Sequence, residues 1–158
     1  MSISIVAVVN PASSRVEART ARGVVTMDAD PPEGEGVAPG PKETLLAALA
    51  GCTSMDVASI LRKKRQSAET YEIAVEGEVA DAHPRVFTAI RVEHRVRGAV
   101  QAEALRRSIE LSATRYCPVN AMLSAAATIE HWYRLTDAGG TQHEALVAVT
   151  GPTGNRVL

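Results

Sequence analysis

The chain has 158 residues, of which 46% are hydrophobic and 22% are charged, so it can bury the core of one globular domain. Its net charge is −1, which excludes the one-sided basic surface that nucleic-acid binding normally requires. Only 3% of the residues are aromatic, so small aliphatic side chains must fill the core. Because such a core buries little area per residue, we expect the protein to gain buried surface by forming a homodimer.

The first segment, residues 2–9, is apolar but short. It lacks the basic start and the cleavage site of a signal peptide, and it is therefore predicted to be a strand. No uncharged stretch approaches the ~18 residues that span a bilayer. We therefore expect a cytoplasmic protein that does not bind membranes, in a compartment where thiols stay reduced.

Two further β segments are predicted at residues 15–20 and 23–28. Residues 30–40 are rich in Pro and Gly, which predicts a loop with the length and exposure of a mobile flap. Pro41 then stands at the first position of the strongest helix signal, which extends to about residue 65. The first half of this helix is apolar on all sides, which predicts a buried helix.

The remaining elements follow from alternating and helical hydrophobic patterns. The predictions are two antiparallel strands at about 71–79 and 86–97, an amphipathic helix at 101–115, a short helix after Cys117, a strand at 128–136, an edge strand at 143–150, and a loose tail. This order describes a single α+β domain over residues 1–158 with antiparallel sheet. No Gly-rich phosphate loop is present, so no nucleotide cofactor is expected.

The chain contains two widely spaced cysteines, Cys52 and Cys117. Neither belongs to a CxxC pair or has a His or Cys at metal-ligand spacing, so no metal is expected. An inert pair of core cysteines is one interpretation, since free cysteine is often buried and Cys52 lies on an Ala-rich helix. Cys117 directly precedes Pro118, which predicts an N-cap position where the helix dipole lowers the thiol pKa.

Two motifs around these cysteines are similar to those of a known family. Residues 40–62, GPKETLLAALAGCTSMDVASILR, closely resemble the first signature of the OsmC/Ohr hydroperoxide-reductase family. Residues 116–120, YCPVN, resemble its second signature. The stretch 55–66 is more specifically similar to the branch that includes the YhfA proteins. The resemblance covers nearly the whole chain up to about residue 136.

The resemblance implies a fold and a dimer. In an OsmC-like fold, antiparallel sheets wrap around two long central helices, one from each protomer of an intertwined homodimer. The active sites of this fold lie at the dimer interface. We expect no cofactor and no metal.

The resemblance also implies a reaction. Cys52 would attack an organic hydroperoxide and become a sulfenic acid, which Cys117 would capture as a disulfide. A thiol or a lipoyl-type dithiol would then reduce that disulfide by exchange. Local context favours Cys117 as the more acidic thiol, whereas the resemblance assigns the first attack to Cys52. We follow the resemblance, because an arginine brought in by the fold can override local context.

The identity of that arginine is a separate prediction. Arg19 and Arg22 both fall in the corresponding strand region, and we choose Arg19 as the catalytic cation. In the well-studied branches a glutamate ten residues before the first cysteine pairs with the arginine, but Lys42 occupies that place here. Glu43 is one position later. Because a shift of one residue turns a helical side chain by about 100°, Glu43 need not take over the role of that glutamate.

Two other functions fit the same sequence. One is an OsmC-like dimeric module that binds an apolar ligand or partner and has little or no peroxidase activity. The other is a Cys–His hydrolase, which requires one of the four histidines beside a thiol. Thr53 and Asp56 flank Cys52 on the predicted helix and are the further residues to examine around it.

Overall fold

The N-terminal strands form a sheet of their own in the computed structural model, which describes residues 2–158. The chain divides into two compact units, the first ending at Leu45 and the second running from Leu46 to Leu158. The first unit contains a three-stranded antiparallel sheet in the order β1-β2-β3. Its strands are β1 (Val6–Val9), β2 (Val16–Thr20) and β3 (Gly23–Met27). The three predicted strands are confirmed, although β1 has only half of its predicted length, and the single domain stays a prediction.

Helix α1 (Pro41–Lys63) begins where the sequence predicts. The backbone N–H of Gly40 donates to Oε2 of Glu43 at 2.7 Å, and Oγ1 of Thr44 donates to the Gly40 carbonyl at 3.0 Å. The first bond satisfies a backbone N–H that the start of a helix leaves without a partner, whereas the Gly40 carbonyl also accepts the backbone N–H of Thr44 at 2.9 Å. The helix ends on basic residues, which complement the negative end of its dipole.

Only one stripe of α1 is buried within the chain. The buried positions are spaced four residues apart, at Leu49, Thr53, Val57 and Leu61. Outside these positions, Leu45 in the first half of α1 is 39% exposed and Met55 in the second half is 73% exposed. The prediction of a helix buried on all sides is therefore wrong for a single chain. By length and composition alone, α1 is also apolar enough to cross a membrane, a test that the core helices of soluble proteins pass as well.

The second unit contains a five-stranded sheet in the order β4-β5-β6-β7-β8. The strands are β4 (Ser67–Val79), β5 (Phe87–Ala99), β6 (Thr128–Asp137), β7 (Gln142–Thr150) and β8 (Arg156–Val157). Strands β5 and β6 are parallel, and the other neighbours are antiparallel. The predicted antiparallel sheet is thus confirmed except at the one parallel pair, β5 and β6. The predicted edge strand, β7, is covered by β8, which occupies the predicted loose tail.

The connection between β5 and β6 explains their parallel pairing. Parallel neighbours require a crossover of a dozen or more residues, and α2 (Ala102–Leu111) and α3 (Pro118–Leu123) supply it. The helix predicted over 101–115 ends early, because residues Ser112–Tyr116 form a π-helical turn. In that turn the N–H of Cys117 donates to the carbonyl of Ser112, five residues back, at 3.0 Å.

Polar residues divide the core of the second unit into two apolar clusters. On three elements a polar residue stands between members of the two clusters: Thr53 between Leu49 and Val57 on α1, His94 between Val92 and Val96 on β5, and His131 between Ile129 and Tyr133 on β6. We call the buried polar residues Thr53, His94, Ser112, Asn120, His131 and Thr150 the polar layer. Because buried polar groups require partners, this layer constrains how the helices sit on the sheet.

Candidate functional site

The fold brings the two thiols together at one end of the polar layer. Cys52 is half-buried on α1, and Cys117 is 3% exposed immediately before α3. The two Sγ atoms and a carboxylate oxygen of Asp56 all lie within 4.8 Å of one another. The sequence separates these cysteines widely, so the crossover between β5 and β6 creates their proximity. Their catalytic roles stay predictions.

Asp56 is held in place beside the sulfurs by a chain of hydroxyl groups. It lies one helical turn after Cys52, so both side chains emerge from the same face of α1. Oγ of Ser112 donates to Oδ2 of Asp56 at 3.1 Å, and the hydroxyls of Thr53 and Ser112 are 3.0 Å apart. Because the Ser112 proton goes to the carboxylate, Thr53 donates to Ser112. Thr53 and Asp56, singled out in the sequence, thus both contribute to the site.

Cys117 occupies the predicted N-cap position, and its Sγ accepts the backbone N–H of Asn120 at 3.3 Å. The predicted effect on its acidity is nevertheless wrong. Burial raises the pKa of the Cys117 thiol, and so do the hydrogen bond with Cys52 and the nearby Asp56 charge, although the N–H of Asn120 opposes them. Loss of water thus outweighs the single N–H at the short helix.

Asn120 connects Cys117 to the polar layer. Its Nδ2 donates to the carbonyl of Ala113 at 2.7 Å and to Oγ1 of Thr150 at 3.2 Å. Its Oδ1 is 2.9 Å from Nε2 of His131. Because an amide oxygen only accepts, His131 donates from Nε2 and its Nδ1 carries no proton. A single side chain thus joins the thiol-bearing segment, β6 and β7.

The buried histidines are neutral. Nδ1 of His94 lies 2.6 Å from the hydroxyl of Tyr71, and burial raises the pKa of Tyr71, so the phenol stays protonated and donates. Burial lowers the pKa of His94 to about 3 and that of His131 to about 4. Nε2 of His94 and Nδ1 of His131 have no protein partner among the residues described. Nε2 of His94 carries a proton and can donate a hydrogen bond, whereas Nδ1 of His131 carries no proton and can accept one.

Neither histidine is a base for a thiol. Within residues 2–158, no histidine forms a hydrogen bond with the sulfur of Cys52 or Cys117. The ring of His131 is instead directed at Asn120. A Cys–His hydrolase requires a thiol–imidazole contact, so the structure gives no support to that alternative.

Neutral buried histidines make the fold sensitive to acid. An unfolded histidine has a pKa near 6.5, whereas burial lowers the values of His94 and His131 to about 3 and about 4. Between these pH values the unfolded chain binds more protons than the folded one, so the stability present above pH 6.5 is lost as the pH falls. We expect the free energy of unfolding to decrease by about 2 kcal/mol per histidine between pH 7 and 5.

Urea denaturation at pH 7, 6 and 5 measures this loss. His131→Gln keeps a donor for Asn120 but cannot titrate, so we expect it to remove roughly half of the pH dependence. His143→Gln is the matched control, because His143 is half-buried on β7 and contacts Asp137 instead. A wild-type free energy that is constant from pH 7 to pH 5 contradicts the prediction.

The predicted arginine lies in the first unit. Arg19 is on β2, where its side chain is 61% exposed and its Nη2 is 3.6 Å from Oε2 of Glu17. Arg22 is in the turn after β2, and its backbone N–H donates to Oγ1 of Thr20. The catalytic role of Arg19 stays a prediction. Glu43, by contrast, has a definite place, because its carboxylate binds the N–H of Gly40 at the start of α1.

Two further residues, Ser112 and Asn120, contribute to the site although they were not predicted as site residues from the sequence. Ser112 and Asn120 are buried polar residues in a helical region, and only the structure shows that they contact Asp56 and Cys117. Arg115 and Cys117 both line a pocket of about 360 Å³. The guanidinium of Arg115 lies over the ring of Tyr116, 5.8 Å from its centroid.

Comparison with known proteins identifies related chains. The OsmC-like protein family matches residues 33–131. Protein YhfA from Escherichia coli (strain K12) is 39% identical over 102 residues, covering 64% of this chain and 76% of YhfA. A hypothetical protein from Aquifex aeolicus VF5 superposes with a TM-score of 0.77 at 25% identity, over 87% of this chain and 98% of its own.

A more distant structure has a descriptive name. The organic hydroperoxide resistance protein OsmC from Legionella pneumophila, also described as a predicted redox protein, superposes with a TM-score of 0.62. The match covers 83% of this chain and 95% of that one, at 19% identity. At this identity the likeness shows a common fold.

Proposed function

Because this chain belongs to the OsmC-like protein family, in its YhfA-like branch, we propose that it is a thiol-dependent peroxidase that reduces organic hydroperoxides. The observation that supports this most directly is the position of the Cys52 and Cys117 sulfurs within 4.8 Å of each other. Two sulfurs at that separation need only a small movement to form a disulfide. The hydroperoxide resistance named for the Legionella protein is consistent with this chemistry.

Cys52 is the thiol that attacks in this proposal. It is the more accessible of the two, whereas Cys117 is 3% exposed and its pKa is raised. The Cys52 thiolate attacks the terminal oxygen of the hydroperoxide, the O–O bond breaks, and the alkoxide leaves as an alcohol after taking a proton. Cys52 is then a sulfenic acid. Arg19 remains our proposed cation for this step.

Cys117 resolves the sulfenic acid. Its sulfur attacks the sulfur of Cys52, the S–O bond breaks, and the hydroxyl leaves as water with the Cys117 proton. The product is a Cys52–Cys117 disulfide. Two thiols of an external reductant, or one dithiol, then restore both cysteines by exchange and are themselves oxidised to a disulfide. The cycle requires a reducing compartment, and we place it in the cytoplasm.

The surroundings of the sulfurs favour an organic substrate. Cys117 belongs to the apolar cluster that contains Leu49, Ile90 and Ile129, and Cys52 packs against it. An alkyl hydroperoxide gains from contact with such side chains, and hydrogen peroxide does not. We therefore propose that organic hydroperoxides are reduced faster than hydrogen peroxide.

One experiment tests the function. Reduced protein is mixed with an excess of an organic hydroperoxide, the free thiols are alkylated, and the mass is measured. We expect the loss of two hydrogens and a linked pair of peptides that contain Cys52 and Cys117. If both thiols are still alkylated after exposure to excess peroxide, the peroxidase proposal is refuted and the binding module is favoured. The presence of Lys42 at the usual glutamate position also favours the binding module.

We also propose that the active protein is a homodimer in which α1 packs against α1 of a second protomer. Along α1, apolar residues such as Leu45 and Met55 are exposed, and a Cβ added at Gly51 would meet no atom within 4 Å. Such a surface allows two helices to approach closely. Burial of this surface would also explain its hydropathy without a membrane.

Met55→Glu tests the dimer. Met55 is 73% exposed on α1, so the charge is tolerated in a monomer but is desolvated in the proposed interface. We expect the dimer to dissociate at concentrations at least about 100-fold higher than for the wild type, as measured by analytical ultracentrifugation. Val86→Glu, at a 50% exposed apolar position between β4 and β5, is the control. Equal dissociation constants for both variants would reject this interface.

A further inference from the structure

The two sulfurs and Asp56 together have the composition of a metal site. We infer that the reduced protein binds one thiophilic divalent cation, with Zn²⁺ as the representative ion, through Cys52, Asp56 and Cys117. This binding is separate from the peroxidase proposal and needs only the geometry of the three side chains. Thiolate sulfur and carboxylate oxygen are both ordinary zinc ligands, and three protein ligands with one open position are typical of accessible zinc sites.

The distances are compatible with coordination. Zinc bonds of about 2.3 Å to sulfur and 2.0–2.2 Å to oxygen, at tetrahedral angles, place the ligand atoms roughly 3.5–3.8 Å apart. The three ligand atoms lie within 4.8 Å of one another. Rotamer adjustments that close the site by at most about 1.3 Å are therefore sufficient. Both thiols lose their protons on coordination, so the bound ion is held by two thiolates and one carboxylate.

The residues around the three ligands already orient them. Ser112 donates to Oδ2 of Asp56, and the N–H of Asn120 donates to Sγ of Cys117. Such hydrogen bonds fix the direction of ligand lone pairs and are typical of protein metal sites. Cys52 and Asp56 are half-buried, so an ion can enter from that side and keep a water as its fourth ligand.

The sequence showed only part of this site. No histidine or cysteine follows Cys52 at ligand spacing, but Asp56 follows it by one helical turn. The third ligand, Cys117, lies in the crossover between β5 and β6. It is too far from Cys52 along the chain to form a local sequence motif with it. Coordination and disulfide formation use the same sulfurs, so a bound ion protects the thiols from peroxide.

A zinc titration in the absence of peroxide tests the site. Reduced protein competes with a chromophoric chelator for Zn²⁺, and we expect one ion per chain with a dissociation constant below about 10 μM. Asp56→Asn keeps the shape of the side chain and an acceptor for Ser112, but loses the carboxylate. We expect it to weaken binding roughly 10-fold or more. Asp81→Asn, in the turn between β4 and β5, is the matched control and binds as the wild type does.

Two results would overturn the inference. The first is wild-type binding weaker than about 10 μM, and the second is equal affinity in Asp56→Asn and the wild type. Thermal unfolding with and without Zn²⁺ verifies that Asp56→Asn is folded, and zinc should raise the midpoint more for the wild type. Because no peroxide is present, failure of the peroxidase assay leaves this result unchanged, and the reverse also holds.

Discussion

Cys52→Ser lowers the rate of organic hydroperoxide consumption by roughly 100-fold or more, because a serine hydroxyl is not ionised at neutral pH and does not attack the O–O bond. The same variant should also leave Cys117 reduced in excess peroxide. This second result separates the proposed order of attack from its reverse, because Cys117 is buried and its pKa is raised. Peroxide consumption is followed in the presence of a dithiol reductant, and the state of Cys117 is read from its alkylation.

Cys117→Ser gives the complementary result. Cys52 should still consume one equivalent of peroxide and form a sulfenic acid, which a dimedone-type reagent traps. Turnover with a dithiol reductant should fall because the resolving disulfide cannot form. A serine at position 117 can still cap α3, so the substitution leaves the helix start intact. A Cys117→Ser protein that consumes no peroxide, beside a Cys52→Ser protein that oxidises Cys117, would reverse the assignment of roles.

Asn120→Ala should lower the free energy of unfolding by about 2–4 kcal/mol and the thermal midpoint by roughly 5–15 °C. The amide is 1% exposed and binds Ala113, His131 and Thr150. Removing it leaves a buried imidazole N–H and a buried carbonyl without partners, in addition to a small cavity. Urea denaturation at pH 7 measures the change.

Asn155→Ala is the control of matched residue type, since Asn155 is exposed near the C-terminus. We expect a change within about 0.5 kcal/mol. A double-mutant cycle with His131→Ala isolates the Asn120–His131 contact, for which we expect a coupling of roughly 1–2 kcal/mol. Losses of stability that add up in the double variant would show that the Asn120 and His131 side chains act separately.

Alanine at position 120 keeps the backbone N–H that binds Cys117. The Asn120→Ala protein that remains folded should therefore retain its thiol chemistry.

Much of the fold could be predicted from local patterns. The start of α1 follows from Pro41 and Glu43, and the alternation along β4 and β5 gives their inward faces. The parallel pairing of β5 with β6 could not be predicted in this way, since strand order depends on the path of the connecting chain. The extent of burial of α1 was also overestimated, because an apolar helix has the same pattern whether its own chain or a second protomer covers it.

The candidate site could be predicted only in part. The resemblance to a family supplied Cys52 and Cys117, and helical spacing placed Thr53 and Asp56 beside the first of them. The pKa of the Cys117 thiol was predicted to be lowered but is raised. Capping is a local effect, whereas the burial that raises this pKa depends on the tertiary structure. Asn120 belongs to the second signature, but its buried partners could not be predicted, and Ser112 has no sequence signal of its own, since partners several elements apart are not visible in a local pattern.

The π-helical turn determines the phase between Ser112 and Cys117. Five residues of α-helix would turn the second side chain about 140° away from the first, whereas a turn with a bond from residue i to i+5 returns it to within roughly 50°. Both residues can therefore be directed at Asp56, one through a hydroxyl and the other through a thiol. Four residues of regular α-helix would turn the side chain by a similar angle of about 40°, so the π-helical turn accommodates one additional residue without changing the face from which Cys117 emerges.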